Sequence, residues 1–318
     1  MDKKETMENF TSFALDKVYF YIESGFWSKL KMKELQNWVG NFKNHRERYC
    51  ALKLLDRFVY YSEEDIIHLI KYGIYEKIVK RHLLQLEQKY NFIVSDEKIA
   101  RAKDLFLKNI YFIKLDTGNP SQSSEAMLRY LKIDIGFPES NILDIKNLKA
   151  ETLSKCNHLV IIDDFIGSGT QIRNFWNYGK VQLDDEEILL NKLEERFSNL
   201  SIEYFCLVCT EEGYDNFKYD FDMGVKNNLR ITYGEILSNK FKVFGKESIY
   251  FDKSEIEYCK NLLQKLCDEN GIPFLGYESL DYAVAFHHGI PDCSLPLFYR
   301  KNDNWNYLFR NKKTESNV

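Results

Sequence analysis

Two adjacent aspartates stand where an apolar segment gives way to a glycine-rich turn. In the sequence HLVIIDDFIGSGTQ, Asp163 and Asp164 directly follow the aliphatic residues 159–162. A buried strand does not need such acids, and a surface loop does not need the apolar residues that lead into it. Paired carboxylates match a pair of neighbouring hydroxyl groups, as on a ribose, with a divalent cation beside them to screen charge. The segment therefore predicts a ligand site.

The turn that follows the acids has the pattern of an anion site. Its glycines, Gly167 and Gly169, allow backbone conformations that are closed to other residues and leave room for amide groups around an anion. Residues 172–176 predict a helix whose unpaired N–H groups and positive dipole end point to the same place. One phosphate fits this turn, so a sugar 5-phosphate would satisfy the turn and the acids together. The predicted phosphate-binding residues are Gly167, Ser168, Gly169, Thr170 and Gln171.

The motif differs from two common phosphate-binding loops. A P-loop needs a lysine after its last glycine, where Thr170 stands, and the dinucleotide-binding fingerprint needs a third glycine, where Ile172 stands. A purely structural role stays open, because Ser168 and Gln171 have the spacing of a helix capping box. In that alternative the two aspartates only close a loop, and their pairing then has no purpose.

The pattern of the chain beyond about residue 108 predicts an α/β fold. Short β-branched or aromatic segments alternate there with amphipathic segments of helical length, such as 123–132 and 186–197. This alternation is typical of parallel strands joined by crossover helices, and such sheets bind ligands beyond the carboxyl ends of their strands. The predicted strands are NIYFIKLD, HLVIIDD, SIEYFCLVCT, NLRITYG and DYAVAFHH.

The N-terminal part of the chain has a different pattern. Apolar residues recur at helical spacing over residues 9–90, which predicts an all-helical extension. We therefore expect two domains, a helical extension over residues 1–95 and an α/β domain over residues 96–318. Trp27, Trp38 and Phe42 are expected to pack between the helices.

The composition is that of a globular protein without a bias toward nucleic acid. The chain has 318 residues, 44% of them hydrophobic, and its 44 lysines and arginines stand against 48 aspartates and glutamates. The net charge of -4 leaves no excess positive charge for a phosphate backbone, so nucleic-acid binding is unsupported. The sequence shows neither a signal peptide nor an apolar segment of bilayer length, so we expect a cytoplasmic protein without membrane segments. Its seven cysteines are expected to be reduced core residues.

The central motif resembles that of the type I phosphoribosyltransferases: an aliphatic strand, two acids, two aliphatic residues and a small Thr/Ser/Gly-rich turn. LVIIDDFIGSGTQ follows it, with Phe165, Gly167 and Gln171 as departures from the usual residues. The resemblance implies a phosphoribosyltransferase-like, Rossmann-like core. It also implies that Asp163 and Asp164 hold the ribose hydroxyls of phosphoribosyl pyrophosphate, with Mg2+ reaching them indirectly through the ribose, while the turn cradles the 5-phosphate. The departures affect side-chain contacts to the phosphate and leave the backbone contacts intact.

A transferase of this fold needs a second anion site, for pyrophosphate, in the loop after its first strand. The candidate residues there are Thr117, Gly118, Ser121 and Ser123. A capped helix start is the alternative that stays open.

The second strand would be NILDI, and the basic pair that ordinary members of the family carry after it is absent. Arg129 and Lys132 on the preceding helix are the substitutes that the sequence offers. Stabilisation of a leaving group is mainly electrostatic, so the absent pair favours binding of the ribose phosphate over the transferase step.

Two histidines, His287 and His288, come where the last predicted strand ends. A neutral imidazole there could act as a general base or contact a nucleobase, and a structural role is the alternative. Together with the helical N-terminal segment and DDFIGSGTQ, this region resembles the PRTase-CE domains, which are phosphoribosyltransferase-like proteins of bacterial conflict and anti-phage systems. The resemblance implies a partner protein from the same defence system.

The leading hypothesis is an enzyme that binds phosphoribosyl pyrophosphate or a nucleotide with Mg2+ and makes or breaks the ribosyl bond at C1, as an effector in a bacterial defence system. Asp163 and Asp164 would position the ribose and stabilise positive charge that develops on it. The alternative is a catalytically inactive nucleotide sensor that controls a partner protein. In a third hypothesis, residues 1–95 are a docking module for a protein or a nucleic acid.

Overall fold

The computed structural model describes residues 3–115, 122–220, 225–226 and 229–310 of the chain. The α-helices in these ranges are α1 Lys3–Glu23, α2 Met32–Val39, α3 His45–Asp56, α4 Glu63–Lys71, α5 Lys80–Lys89, α6 Asp96–Asn109, α7 Gln122–Tyr130, α8 Ala150–Lys155, α9 Thr170–Tyr178, α10 Leu193–Arg196, α11 Glu211–Lys218 and α12 Ile256–Glu269. The strands are β1 Val59–Tyr61, β2 Ile110–Lys114, β3 His158–Ile166, β4 Lys180–Leu183, β5 Glu186–Leu189, β6 Ser201–Thr210, β7 Tyr219–Asp220, β8 Val225–Lys226, β9 Arg230–Leu237 and β10 Val284–Phe286. Two π-helical segments, Tyr72–Val79 and Leu131–Ile135, follow α4 and α7.

The chain divides into two compact units. The first unit combines residues 1–64 with residues 237–318, and the second unit comprises residues 65–236. The sequence predicts a division at residue 95, linear along the chain, whereas the first unit is assembled from both chain ends. Strand β1 pairs in parallel with β10, with Tyr61 opposite Phe286, and so joins the two ends within this unit.

The core of the first unit is rich in aromatic residues. The indole of Trp38 is buried, stacks on Phe298 with ring centroids 5.6 Å apart, and donates a hydrogen bond of 2.8 Å to the carbonyl of Leu297. Trp27 and Phe42 are buried in the same core, which confirms the predicted packing role of the three aromatic residues. The N-terminal segment is helical in α1, α2 and α3, and β1 then interrupts the helices because its residues pair with β10.

One pair of cysteines in the first unit differs from the prediction. Cys50 of α3 and Cys259 of α12 form a disulfide, with Cα atoms 5.5 Å apart. The prediction of reduced cysteines was wrong for this pair. The sequence could not reveal the bond, because the two residues are 209 positions apart and only the packing of α3 on α12 brings them together. The cysteines that form no disulfide are buried, as predicted; they are Cys156, Cys206, Cys209, Cys267 and Cys293.

The second unit is built on a four-stranded sheet with the order β2-β3-β6-β9. Strands β2, β3 and β6 run parallel, and Ile161 of β3 lies opposite Tyr204 of β6. Residues 158–163 are all buried, because β3 is an interior strand of the sheet and both of its faces are covered. On one face Phe112 packs against Phe137, with ring centroids 4.7 Å apart, and on the other face Ile161 joins a core cluster with residues of α9. The predicted strands NIYFIKLD, HLVIIDD, SIEYFCLVCT and NLRITYG correspond to β2, β3, β6 and β9.

The chain reverses its direction across this sheet between β2 and β3. After β2 it passes to the far side of that strand, where Ile142 forms a parallel bridge to Phe112 and the N–H of Leu143 donates a hydrogen bond of 2.8 Å to the Phe112 carbonyl. The predicted strand NILDI is thus reduced to a single bridge. The chain then returns to β3, so the carboxyl ends of β2 and β3 border a topological switch point, the place where open α/β sheets bind ligands.

The predicted helix over residues 186–197 is wrong in its first part. Glu186–Leu189 form β5, which pairs antiparallel with β4, and helical structure is confined to Leu190–Lys192 and α10. Asp184 has a φ of +50° between the two strands, a conformation that Asp tolerates better than most residues. The hairpin turn at this position is set by backbone geometry, which the pattern of charges did not reveal.

Within the described ranges, no helix combines the length and the apolar character that crossing a bilayer would require.

Candidate functional site

The two aspartates lie near the carboxyl end of β3, at the switch point of the sheet. Asp163 is opposite Cys206 of β6, and on the other side of β3 the end of β2 places Lys114 opposite Ile162. Strand pairing continues to Ile166, so the acids stand on a rigid element just before the glycine turn. This position, beyond which the chain leaves the sheet, is where a ligand of an open α/β sheet would bind.

Asp163 is buried, with only 5% of its surface exposed. Its Oδ2 accepts a hydrogen bond of 2.7 Å from the hydroxyl of Tyr204, and its Oδ1 accepts one of 3.0 Å from the N–H of Asp164. Burial raises the pKa of Asp163 well above its usual value, and the charge of Asp164 raises it further, while the hydrogen bond from Tyr204 opposes the shift. Asp163 therefore holds its proton more firmly than an exposed aspartate does.

Asp164 is the more accessible acid of the pair, because it is only partly buried. The charge of Asp164 is the second cause, after burial, of the raised pKa of Asp163. The arrangement gives the accessible position to Asp164, whereas the carboxyl of Asp163 is engaged with Tyr204.

The glycine turn, residues 167–169, connects β3 to α9. Gly169 has a φ of +84° immediately before the first helical residue, a left-handed conformation that glycine adopts without steric cost. Within the described residues, the amides of the three turn residues donate no hydrogen bond to a backbone carbonyl, and Arg173 is the residue that donates to the carbonyl of Gly169, at 3.1 Å. Three successive amides followed by the open first turn of a helix form a concave set of donors for an anion.

The predicted capping box of Ser168 and Gln171 is wrong, while a purely structural role of the two aspartates stays an alternative. The residue that caps α9 is Gly169, and no side chain caps this helix. The hydroxyl of Ser168 instead lies 3.4 Å from the amide of Thr170. Thr170 and Gln171 are the first two residues of α9, and the side chain of Gln171 is exposed.

The junction of β6 and α11 supports the glycine turn, and sequence reasoning missed it. The hydroxyl of Thr210 donates a hydrogen bond of 2.5 Å to the carbonyl of Gly167, and the side-chain amide of Asn216 donates one of 3.2 Å to the carbonyl of Ser168. At Gly213, any Cβ would lie 2.1 Å from the carbonyl oxygen of Gly167. Threonine and glycine at the end of a predicted strand gave a local signal of a helix cap. Their partner, 43 residues earlier, could not be identified without the fold.

The predicted pyrophosphate loop falls almost entirely outside the described residues. Thr117, Gly118 and Ser121 lie there, and Ser123 belongs to the first turn of α7 without a described side chain. The binding of pyrophosphate by these residues stays a prediction.

Lys114 and Lys132 both lie in ion pairs, but at opposite ends of β2. Lys114, at the carboxyl end of β2 and opposite Ile162, pairs with Glu125 of α7. Lys132 pairs at 2.7 Å with Glu139, two residues before Asn141, whose side chain donates to the Ile110 carbonyl at the amino end of β2. The side chains of both pairs are partly or largely exposed, so each pair contributes about 0–1 kcal/mol to stability. An anion at the carboxyl end of β2 could therefore compete with Glu125 for Lys114.

The predicted histidines belong to the first unit, whereas the aspartates and the glycine turn belong to the second. Nδ1 of His287 lies 3.0 Å from the hydroxyl of Ser28, and its Nε2 lies 3.8 Å from a carboxylate oxygen of Glu63. The ring of His288 stacks on Phe286, with centroids 5.4 Å apart. Their role as a general base or as a contact to a nucleobase stays a prediction.

A magnesium ion at this site would depend on ligand oxygens. Among the residues that the structure describes, no three His, Cys, Asp or Glu side chains converge to hold a metal. Mg2+ is commonly bound through one or two carboxylates together with substrate phosphates and water. Asp164 fits that mode, since it is partly accessible and stands beside a turn suited to a phosphate.

Comparisons with known proteins place the chain in a family. A search of curated proteins gave no significant match. Among solved structures the chain is similar to the orotate phosphoribosyltransferase from Aeropyrum pernix, with 12% identity, over 56% of this chain and 78% of that one, at a TM-score of 0.22. The sequence profile of the PRTase-CE family matches residues 35–311, a range that contains the whole α/β core with its sheet, switch point and paired acids. Since this match extends over most of the chain, the protein belongs to the PRTase-CE family.

Proposed function

We propose that the protein binds a 5-phosphorylated ribose, as phosphoribosyl pyrophosphate or a nucleotide, and makes or breaks the bond at C1 of the sugar. One observation carries the proposal: a pair of acids is followed, at the switch point of the sheet, by a turn whose amides have no backbone partner among the described residues. The acids suit the hydroxyls of a ribose, and the amides suit its 5-phosphate. Membership of the PRTase-CE family supports the same substrate class.

Asp164 is the residue that we expect to touch the sugar. Its partly exposed carboxylate would accept hydrogen bonds from the ribose hydroxyls and stabilise positive charge that develops on the ring as the bond at C1 breaks. Asp163 would act through Asp164, because it accepts a hydrogen bond from the N–H of that residue. Bound Mg2+ would neutralise charge on the ligand phosphates, and Asp164 is the residue that would hold it together with the ligand oxygens.

Titration calorimetry with phosphoribosyl pyrophosphate and ribose 5-phosphate, with and without Mg2+, tests the proposal. The native protein should bind, and Asp164→Asn should weaken binding by at least about tenfold, or about 1.4 kcal/mol. Asp104→Asn, which changes an exposed acid of α6 in the same unit, is the matched control and should bind like the native protein. Absence of binding by the native protein, or equal binding by both variants, rejects the proposal.

A catalytically inactive nucleotide sensor is the second candidate. It is favoured by the ion pair that Lys114 forms with Glu125, since this pair occupies a cation at the carboxyl end of β2 that a leaving pyrophosphate would need. Product analysis separates the two candidates. After incubation with nucleotides, phosphoribosyl pyrophosphate and Mg2+, an enzyme releases free base or pyrophosphate that mass spectrometry detects, whereas a sensor binds its ligand and leaves it unchanged.

The role in a bacterial defence system, in the cytoplasm and with a partner protein, is proposed from the family resemblance. Bacteria that express the native protein should support fewer phage plaques than bacteria that express Asp164→Asn at the same level. Equal plaque counts would reject the defence role and leave the binding proposal to the calorimetry.

A further inference from the structure

The last residue of β6 and a residue of α11 donate hydrogen bonds to carbonyl groups of the glycine turn. Thr210 is fully buried, and its hydroxyl both donates to the carbonyl of Gly167 at 2.5 Å and accepts from the N–H of Gly213 at 2.9 Å. One turn of helix later, Asn216 donates from its side-chain amide to the carbonyl of Ser168 at 3.2 Å. Two successive carbonyl oxygens of the glycine turn are therefore held toward α11.

The first turn of α11 and the glycine turn approach each other so closely that each of them requires a glycine at the contact. A Cβ at Gly213 would lie 2.1 Å from the carbonyl oxygen of Gly167, and a Cβ at Gly169 would lie 2.5 Å from the carbonyl oxygen of Gly213. Both contacts are to backbone atoms, which cannot move aside as a flexible side chain could. The close approach therefore requires glycine at two positions, Gly169 of the glycine turn and Gly213, which lies 44 residues later in α11.

The direction of each amide in the turn follows from the direction of its carbonyl. A trans peptide unit is planar, so the C=O of one residue and the N–H of the next point in opposite directions. The peptide bonds of the described residues are trans. The carbonyls of Gly167 and Ser168 point toward α11, so the N–H groups of Ser168 and Gly169 point away from it, and neither donates to a backbone carbonyl of the described residues.

We infer that Thr210 and Asn216 are positioning residues, which orient the Ser168 and Gly169 amides toward a bound phosphate. The inference rests on the proposed function, because it concerns the phosphate group of the same ligand. Neither side chain touches the phosphate. Their effect is to fix two donors before the ligand arrives, so that binding does not have to order the turn.

Conservative and disruptive changes at Thr210 provide the test. Thr210→Val keeps the shape of the side chain and removes the hydroxyl, whereas Thr210→Ser keeps the hydroxyl. Thr232→Val is the matched control, since Thr232 is another buried threonine of the same sheet, and its hydroxyl bonds to Glu203 instead of the turn. Calorimetry with ribose 5-phosphate should show binding at least about tenfold weaker for Thr210→Val, and within about twofold of native for Thr210→Ser and Thr232→Val.

Asn216 gives a second, independent variant. Asn216→Ala removes the bond to the Ser168 carbonyl and should weaken binding of ribose 5-phosphate about threefold to tenfold. The control is Asn109→Ala, because Asn109 also donates from its side-chain amide to a backbone carbonyl, that of Leu105, at 3.0 Å. Thermal unfolding of all variants shows whether they fold, and Thr210→Val and Thr232→Val should both be less stable than the native protein.

The outcomes separate this inference from the proposed function. If the native protein binds no phosphorylated ribose, the proposed function fails, and this inference falls with it. If the native protein binds and Thr210→Val binds equally well, or if Thr210→Val and Thr232→Val weaken binding to the same extent, the proposed function stands and the positioning role is overturned. Selective weakening by Thr210→Val and Asn216→Ala, with Thr210→Ser close to native, supports the role.

Discussion

The hydroxyl of Tyr204 donates a hydrogen bond of 2.7 Å to Oδ2 of Asp163, and both side chains are buried. Burial raises the pKa of Tyr204, and the charge of Asp163 raises it further, so the phenol keeps its proton and remains a donor. The other oxygen of Asp163 accepts the N–H of Asp164. The contact between Tyr204 and Asp163 therefore fixes the backbone from which Asp164 projects.

Removal of the Tyr204 hydroxyl should destabilise the protein. Tyr204→Phe leaves a buried carboxyl oxygen without its donor, which should lower the free energy of unfolding by about 1–3 kcal/mol in a urea titration. Tyr233→Phe is the control, because Tyr233 lies on β9 of the same sheet and is only partly buried; its effect should stay within about 0.5 kcal/mol. Equal stability of Tyr204→Phe and the native protein would show that the bond contributes nothing.

The stability of the protein should depend on the protonation of Asp163. The pKa of Asp163 is raised by burial first and by the charge of Asp164 second, so the folded state binds this proton more tightly than the unfolded state. A raised folded pKa contributes stability that is present at acidic pH and is lost as pH rises through the folded value. Asp163→Asn cannot ionise, so the difference between its unfolding temperature and that of the native protein should shift in favour of the variant as pH rises from about 4, the unfolded value, through the folded pKa. A difference that stays constant over this range would contradict the assignment.

At the other end of the sheet, the buried carboxylate of Glu203 should destabilise the protein when it loses its ion-pair partner. Glu203 is fully buried and bonds to Arg81, to Thr232 and, at 2.9 Å, to Nε2 of His158. Burial alone would raise its pKa, but the hydrogen bond from His158 and the charge of Arg81 outweigh burial and lower it. Its contribution to stability is therefore present above the unfolded pKa and is lost as pH falls through the folded value.

Arg81→Met should lower the free energy of unfolding by about 3 kcal/mol, at the low end for a broken buried ion pair because the arginine side chain is 30% exposed. Lys80→Met is the matched control: Lys80 is the preceding residue, and its pair with Glu76 is exposed, so the loss should be at most about 0.5 kcal/mol. If the two variants unfold at the same urea concentration, the buried pair does not stabilise the unit.

The sequence predicted the elements whose signal is local. The apolar segment at residues 158–162 identified an interior strand, and the acids and glycines after it identified the place where that strand leaves the sheet. The hairpin of β4 and β5 escaped prediction because its turn depends on a single left-handed residue, Asp184, within an acidic segment that also suits a helix.

The parts of the site that could not be predicted depend on contacts between distant residues. Thr210 and Gly167 are 43 positions apart, and Tyr204 and Asp163 are 41 positions apart. No pattern in the segment around one residue of a pair indicates that it contacts the other. The same holds in the first unit, where β1 finds its partner β10 more than two hundred positions later. A pattern in one segment reports which face is buried, whereas the partner of that face is decided by the whole fold.

The disulfide between Cys50 and Cys259 should make the stability of the first unit sensitive to reductant. It links α3 to α12 across 209 positions, and closing so long a loop removes conformational freedom from the unfolded chain. Reduction, or the double variant Cys50→Ala/Cys259→Ala, should lower the free energy of unfolding by about 2–5 kcal/mol. Cys267→Ala, which changes a free buried thiol of the same α12, should keep the sensitivity to reductant, while the double variant loses it. Alkylation of the unfolded protein without reductant should label five of its seven cysteines, and labelling of all seven would show that the bond is absent.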